Sequence, residues 1–123
     1  MKIFNVSVII LFILSFNVFA VEISGIPRIT DGDTIKILNK RIRLHGIDTP
    51  EKTQICTKNS KEYSCGEKAT NALKKKIGGK LVTCKLQDTL DRYKRYIGVC
   101  FLKDVDLNKW MVRNGYAVAY RRY

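Results

Sequence analysis

The sequence predicts a mainly β fold with some α, a small curled barrel with helices packed against it. Three observations predict it. Short segments of alternating apolar residues recur between turn signals, two segments carry helical periodicity, and 123 residues suffice for one domain but not two. No repeat or low-complexity linker interrupts the pattern.

The first twenty residues stand outside that domain. Lys2 precedes an uncharged, mostly apolar run from Ile3 to Ala20. Val18-Phe19-Ala20 places aliphatic or small residues at the cleavage-determining sites, so 1–20 reads as a signal peptide and 21–123 as the domain. The run is also long enough for a short membrane span, so an uncleaved anchor is the alternative. The expected location is secreted or periplasmic, or membrane-anchored if the run is retained.

Val21 to Ile29 alternates loosely and then meets the turn signal D-G-D. Thr34 to Leu38 is a strand with Ile35 and Ile37 on one face. Asn39-Lys40 is a tight turn, and Arg41 to Ile47 alternates again. Ile42 and Leu44 face one way; Arg41, Arg43 and His45 face the other. Pro50 ends this hairpin, and a polar loop runs to Ser64. Ser64 to Glu67 has capping-box spacing, and a helix follows to Ile77 with Ala69, Ala72, Leu73 and Ile77 as its stripe. Gly78-Gly79 stops it. Lys80 to Leu86 and Tyr96 to Leu102 are strands joined by a charged tip centred near Arg92. Asp106 is the N-cap of a second helix, with Leu107, Trp110 and Met111 inward and Asn114-Gly115 at its end.

Four cysteines stand at 56, 65, 84 and 100. An even count in an exported chain favours two disulfides, with three possible pairings. Cys56 and Cys65 flank one polar stretch, and the expected register sets Cys84 opposite Cys100. Pairing within each couple is therefore the simplest. No C-x-x-C occurs and the single histidine is distant, which argues against zinc.

A formal net charge of +12 favours an anionic polymer: nucleic acid, acidic glycan or membrane surface. Within this surplus, Asp33 lies at the start of one strand and Asp48 just past the end of its neighbour. Two carboxylates brought together raise each other's pKa unless a cation lies between them. Oxygen ligands suit Ca²⁺ or Mg²⁺, and Glu51 would bind through water or act as a base. D-G-D is also a common turn, and D-T-P-E also serves as a helix cap or loop. Arg43 shares the basic face and fits phosphate through its rigid fork. Arg95 lies in the charged tip, where a solvated turn is the plain alternative. Tyr93 and Tyr120 are candidates for stacking on bases, and His45 is a groove or packing residue.

I-T-D-G-D-T at 29–34, R-L-H-G-I-D-T-P-E at 43–51, D-R-Y-K-R-Y at 91–96 and V-R-N-G-Y-A-V-A-Y at 112–120 resemble the staphylococcal nuclease (thermonuclease) family. The likeness runs from about Ile29 onward, and the four cysteines resemble exported members. It implies a five-stranded OB-fold barrel and a Ca²⁺-dependent endonuclease/exonuclease that cleaves DNA and RNA to leave 3′-phosphates. It implies Asp33 and Asp48 as carboxylate ligands, the Thr49 carbonyl as a third, and Glu51 as the group that orients or deprotonates water. Arg43 and Arg95 would hold phosphate, with Tyr93 and Tyr120 lining the nucleotide groove. Lys94 stands where the family carries glycine, and the chain stops short of the family's third helix. Weak base selectivity, a monomer and no stable protein partner are expected. The alternative is a noncatalytic nucleic-acid binding module on the same fold. A cationic surface-binding protein is the third class, and it leaves the carboxylates without a purpose.

Overall fold

The computed structural model describes residues 21–120, so the expected signal peptide lies outside the described residues. The elements run β1 (Val21–Gly25), β2 (Arg28–Asp31), β3 (Thr34–Ile37), β4 (Lys40–Leu44), β5 (Ile47–Asp48), β6 (Cys56–Lys58), β7 (Lys61–Tyr63) and α1 (Cys65–Ile77). They continue with β8 (Val82–Leu90), β9 (Tyr96–Leu102), β10 (Val105–Asp106), α2 (Leu107–Arg113) and β11 (Val118–Ala119). Among the described residues no helix is long and apolar enough to cross a membrane.

The main sheet follows the order β1-β8-β9-β4-β3-β2, with β10 against β9. Every pairing in it is antiparallel except β4 with β9. The path ends on β1 and β2, which Ile26-Pro27 joins through the chain rather than through a hydrogen-bonded ladder. The result is a mixed sheet curled into an OB-like half-barrel with two packed helices. The expected five-stranded OB-fold barrel is corrected to that extent: the sheet does not close. The break falls at Pro27, which has no amide proton to give to a ladder.

Alternation places Ile35, Ile37, Ile42, Leu44, Val82 and Leu86 inside the curl, all buried. Helix α1 lies against β2 and closes the core with Ala69, Leu73 and Ile77. Ala72, expected in that stripe, is only half-buried, while Thr70 is fully buried and bonds the Gly66 carbonyl. The capping box does not form. Ser64 makes no side-chain cap bond, and the Gly66 amide donates to the Gln54 carbonyl instead. At the second helix Asp106 does cap, accepting from the Lys109 amide at 3.0 Å. Helix α2 buries Leu107 and Met111 with Asn108, while Trp110 is half-buried and stacks on Tyr116.

Both disulfides pair as the sequence favours. Cys84 sits opposite Cys100 in the β8–β9 ladder, and Cys56–Cys65 ties β6 to the start of α1. The stretch expected as a plain loop holds the β6–β7 hairpin. The alternation expected through Ile47 ends at Leu44, because Gly46 turns the chain at φ +77°.

Candidate active site

The β2–β3 turn and the β4–β5 bend bring the chemistry together. The register of β3 and β4 sets Arg43 opposite Thr34, one residue from Asp33. The Leu44 amide donates to the Asp33 carbonyl at 2.7 Å and locks the two ends. Arg43 Nη1 lies 3.3 Å from Asp33 Oδ2, and Nη2 lies 3.6 Å from Asp48 Oδ1. One guanidinium thus spans the two carboxylates expected to share a cation.

Asp33 is buried and Asp48 exposed. Burial pushes the Asp33 carboxyl upward. Hydrogen bonding from Asp31 and the Thr49 amide, the Arg43 charge and the Thr34 hydroxyl outweigh it and leave Asp33 below its ordinary value. Asp31 goes the other way, pushed up from 3.8 to about 6 by burial first, then by its contact with Asp33 and the charge of Glu51. Asp31 belongs to this electrostatic neighbourhood, a role that the turn signal D-G-D does not reveal.

Arg95 reaches the same place from the β8–β9 tip. Asp91 Oδ2 accepts from its Nε at 2.8 Å, and Asp91 Oδ1 accepts from the Arg95 and Tyr93 amides. Arg95 Nη1 then donates to the Thr34 hydroxyl at 3.3 Å, which itself donates to Asp33 Oδ1 at 3.1 Å. Thr34 therefore joins the second arginine to the buried carboxylate. Its spacing from Arg95 hid that link in the sequence.

Glu51 is exposed on the loop after Pro50. Its amide donates to Gln54 Oε1, and its carbonyl accepts from the Gln54 amide at 2.8 Å. A Cβ at Gly66 would collide with the Glu51 carbonyl, so only glycine lets this loop rest on the start of α1. Arg43, His45, Asp91 and Tyr120 line one cavity of about 160 Å³. Tyr93 does not line it; its ring lies beneath the Arg92 and Arg95 guanidiniums, at 5.2 and 5.3 Å. The His45 ring meets Gln87 at 3.4 Å.

Among the described residues no group of three or more His, Cys, Asp or Glu side chains is placed to hold a metal ion. The donor set nevertheless fits a hard cation. Asp33 and Asp48 lie within reach of a single positive group, and the Thr49 hydroxyl beside them is buried without a hydrogen-bond partner. Two carboxylates and a carbonyl leave further positions for water, as Ca²⁺ permits.

The curled OB-like domain thus brings two carboxylates and two arginines together on one face. The staphylococcal nuclease homologue family matches residues 41–123, and the chain belongs to that family. It is 37% identical over 121 residues to an uncharacterized endonuclease of Escherichia coli O157:H7, covering 94% of this chain and 72% of that protein. It is 36% identical over 102 residues to the succinoglycan biosynthesis protein ExoI of Rhizobium meliloti, covering 80% of this chain and 53% of that one. An uncharacterized endonuclease of Haemophilus influenzae is 32% identical over 103 residues, covering 80% and 52%. The chain thus spans about half the length of two of these relatives. Membership of a nuclease family supports a function in hydrolysing nucleic acid.

Proposed function

We propose that the protein is a calcium-dependent phosphodiesterase that hydrolyses DNA and RNA with little sequence selectivity and leaves 3′-phosphates. The observation that carries this reading is the single unit of Asp33, Asp48, Arg43, Thr34 and Arg95. A pure binder has no need for a carboxylate pair beside its phosphate ligands. Asp33, Asp48 and the Thr49 carbonyl would hold Ca²⁺, which supplies positive charge toward the phosphate and offsets the carboxylates' repulsion of it. Glu51 orients the attacking water and accepts its proton. Arg43 and Arg95 hold the phosphate oxygens and oppose the charge that grows there as the 5′-oxygen leaves. Tyr93 and Tyr120 flank the nucleotide. The many lysines bind backbone phosphate without reading bases, so affinity should fall steeply with salt.

Two disulfides support an oxidising location outside the cytoplasm. The test is cleavage of labelled DNA and RNA by the full chain with Ca²⁺, with Mg²⁺ and with a chelator. Cleavage is expected with Ca²⁺, much less with Mg²⁺ and none with chelator, with phosphate on the 3′ ends. Tight binding without cleavage under all three conditions would assign the protein to the noncatalytic class.

A further inference from the structure

A second groove starts at the other side of Asp48. One cavity of about 240 Å³ is lined by Asp48, Thr49 and Pro50 and by the turn at Gly115-Tyr116. It adjoins a cavity of about 410 Å³ that shares Pro50, Gly115 and Tyr116 and continues to Lys58, Tyr63 and Lys68. Neither shares a residue with the cavity of Arg43 and Tyr120.

The β6–β7 hairpin builds the far end of this groove. Cys56 pairs with Tyr63 and Lys58 with Lys61, while Thr57 pairs with Glu62. Side chains alternate along a strand, and directly opposed residues share a face. Cys56, Lys58 and Tyr63 therefore share one face, and Glu62 points to the other. The disulfide from Cys56 to Cys65 turns the basic and aromatic face toward α1. From α1, Lys68 sets its Nζ 5.8 Å from the centre of the Tyr63 ring. Tyr63 remains 40% exposed, so the part of its ring that Lys68 does not cover is open to a ligand. Tyr116 is backed by Trp110, with ring centroids 5.9 Å apart. Among the described residues no Asp or Glu lines the larger cavity. Two hairpin strands of three residues each cannot stand alone in water, so the disulfide is what makes this a fixed surface.

We propose that this groove is a subsite for single-stranded nucleic acid, which grips the strand beyond the reacting phosphate. Lys58 and Lys68 meet backbone phosphates, and Tyr63 stacks on a base regardless of its identity. The proposal rests on the hydrolytic reading above and extends it to substrate length. Long single strands engage both sides of Asp48; a dinucleotide engages one.

The test uses the oxidised full chain with Ca²⁺, on a thymidine dinucleotide and on a twelve-residue oligothymidylate. In Lys58→Ala/Lys68→Ala, KM for the twelve-mer is expected to rise about 10-fold more than KM for the dinucleotide. Its log KM should also depend less steeply on log salt, by about 1.4 for two lost phosphate contacts. Tyr63→Ala should raise the twelve-mer KM, and Tyr63→Phe should restore it, because the ring and not the hydroxyl stacks. Equal effects on both substrates, or no effect on either, overturn the subsite while hydrolysis by the wild type stands. A wild type that neither cleaves nor binds the twelve-mer overturns both readings.

Discussion

The β3–β4 ladder and the β8–β9 tip each deliver one arginine to the same face, but they hold it differently. Arg43 projects from β4, one residue before its end, and its guanidinium rests on Asp33 and Asp48. Arg95 leaves a tight turn, and its guanidinium is fixed by Asp91, a residue of that same turn. The first arginine is held by the carboxylates proposed to bind the cation, so its position depends on what occupies them. The second is held by a carboxylate that takes no part in the cluster. Cation binding should therefore reposition Arg43 and leave Arg95 in place.

Removing either arginine tests whether the two are equivalent in the reaction. Arg43→Ala should lower kcat by about 10²–10³-fold, as expected for loss of one charged donor to the developing negative charge. It should also leave Asp33 and Asp48 without their bridging cation, so Ca²⁺ should stabilise this variant against heat more than it stabilises the wild type. Single-turnover cleavage and melting with and without Ca²⁺ check both parts. An identical Ca²⁺ response in the two proteins would break the comparison at Arg43.

Asp91→Asn sharpens the other side. It weakens the bond that aims Arg95 but leaves the arginine present, so kcat should fall by about 10-fold, less than for Arg43→Ala. KM should change little. If kcat does not move, the turn does not need Asp91 to place Arg95.

Acid should weaken the same turn. Burial pushes Asp91 upward, but hydrogen bonds from the Arg95 amide and guanidinium, and the Arg95 charge, hold it below its ordinary 3.8. A depressed folded-state value means the contribution is fully present above the unfolded pKa. It is lost as pH falls through the lower folded value. The melting difference between wild type and Asp91→Asn should thus be constant near neutrality and shrink below about pH 4. A difference that widens there would contradict the assignment.

The smallest effect belongs to Lys94. It adopts φ +60°, the left-handed backbone that glycine takes without a Cβ penalty and lysine does not. Arg95 nevertheless keeps its bonds to Asp91 and Thr34. Lys94→Gly should relieve a left-handed penalty of about 1 kcal/mol and add roughly 0.5 kcal/mol of chain entropy. The melting temperature should rise by about 2–4 °C, with turnover nearly unchanged. A large gain in turnover would mean that Lys94 tilts Arg95 in solution.

What was legible in the sequence was local. Alternation in Thr34 to Leu44 places Arg43 on the basic face, and strand register predicts the Cys84–Cys100 pair, because each signal lies within a single hairpin. The remainder came from contacts between distant segments. Thr34 links to Arg95 across 61 positions, and Asn108 reaches the His45 carbonyl across 63. No periodicity marks such a partner. Gly66 reads as a helix residue and shows its purpose only when the Glu51 loop lies against it. The capping box at Ser64 also does not form: Ser64 makes no side-chain cap bond, and the carbonyl of Gln54, from an earlier loop, takes the neighbouring Gly66 amide. Pro27 was visible, but whether a proline ends a strand or merely bends the path depends on the two neighbours, β8 and β3, that claim its flanks.

The parallel seam between β4 and β9 also sets the order in which the chain can assemble. Ile42 must find Tyr96, and Leu44 must find Gly98, across α1 and all of β8. Such distant joins carry a large closure entropy and tend to form late. The Cys84–Cys100 bridge holds β8 and β9 in register while the chain is still unfolded, so the seam meets a ready-made hairpin. Asn108 then seals it, donating to the His45 and Gly98 carbonyls and accepting from the Cys100 amide. In the oxidised chain the bridge has already set the β8–β9 register when the seam closes. In the reduced chain that register has to be found as well.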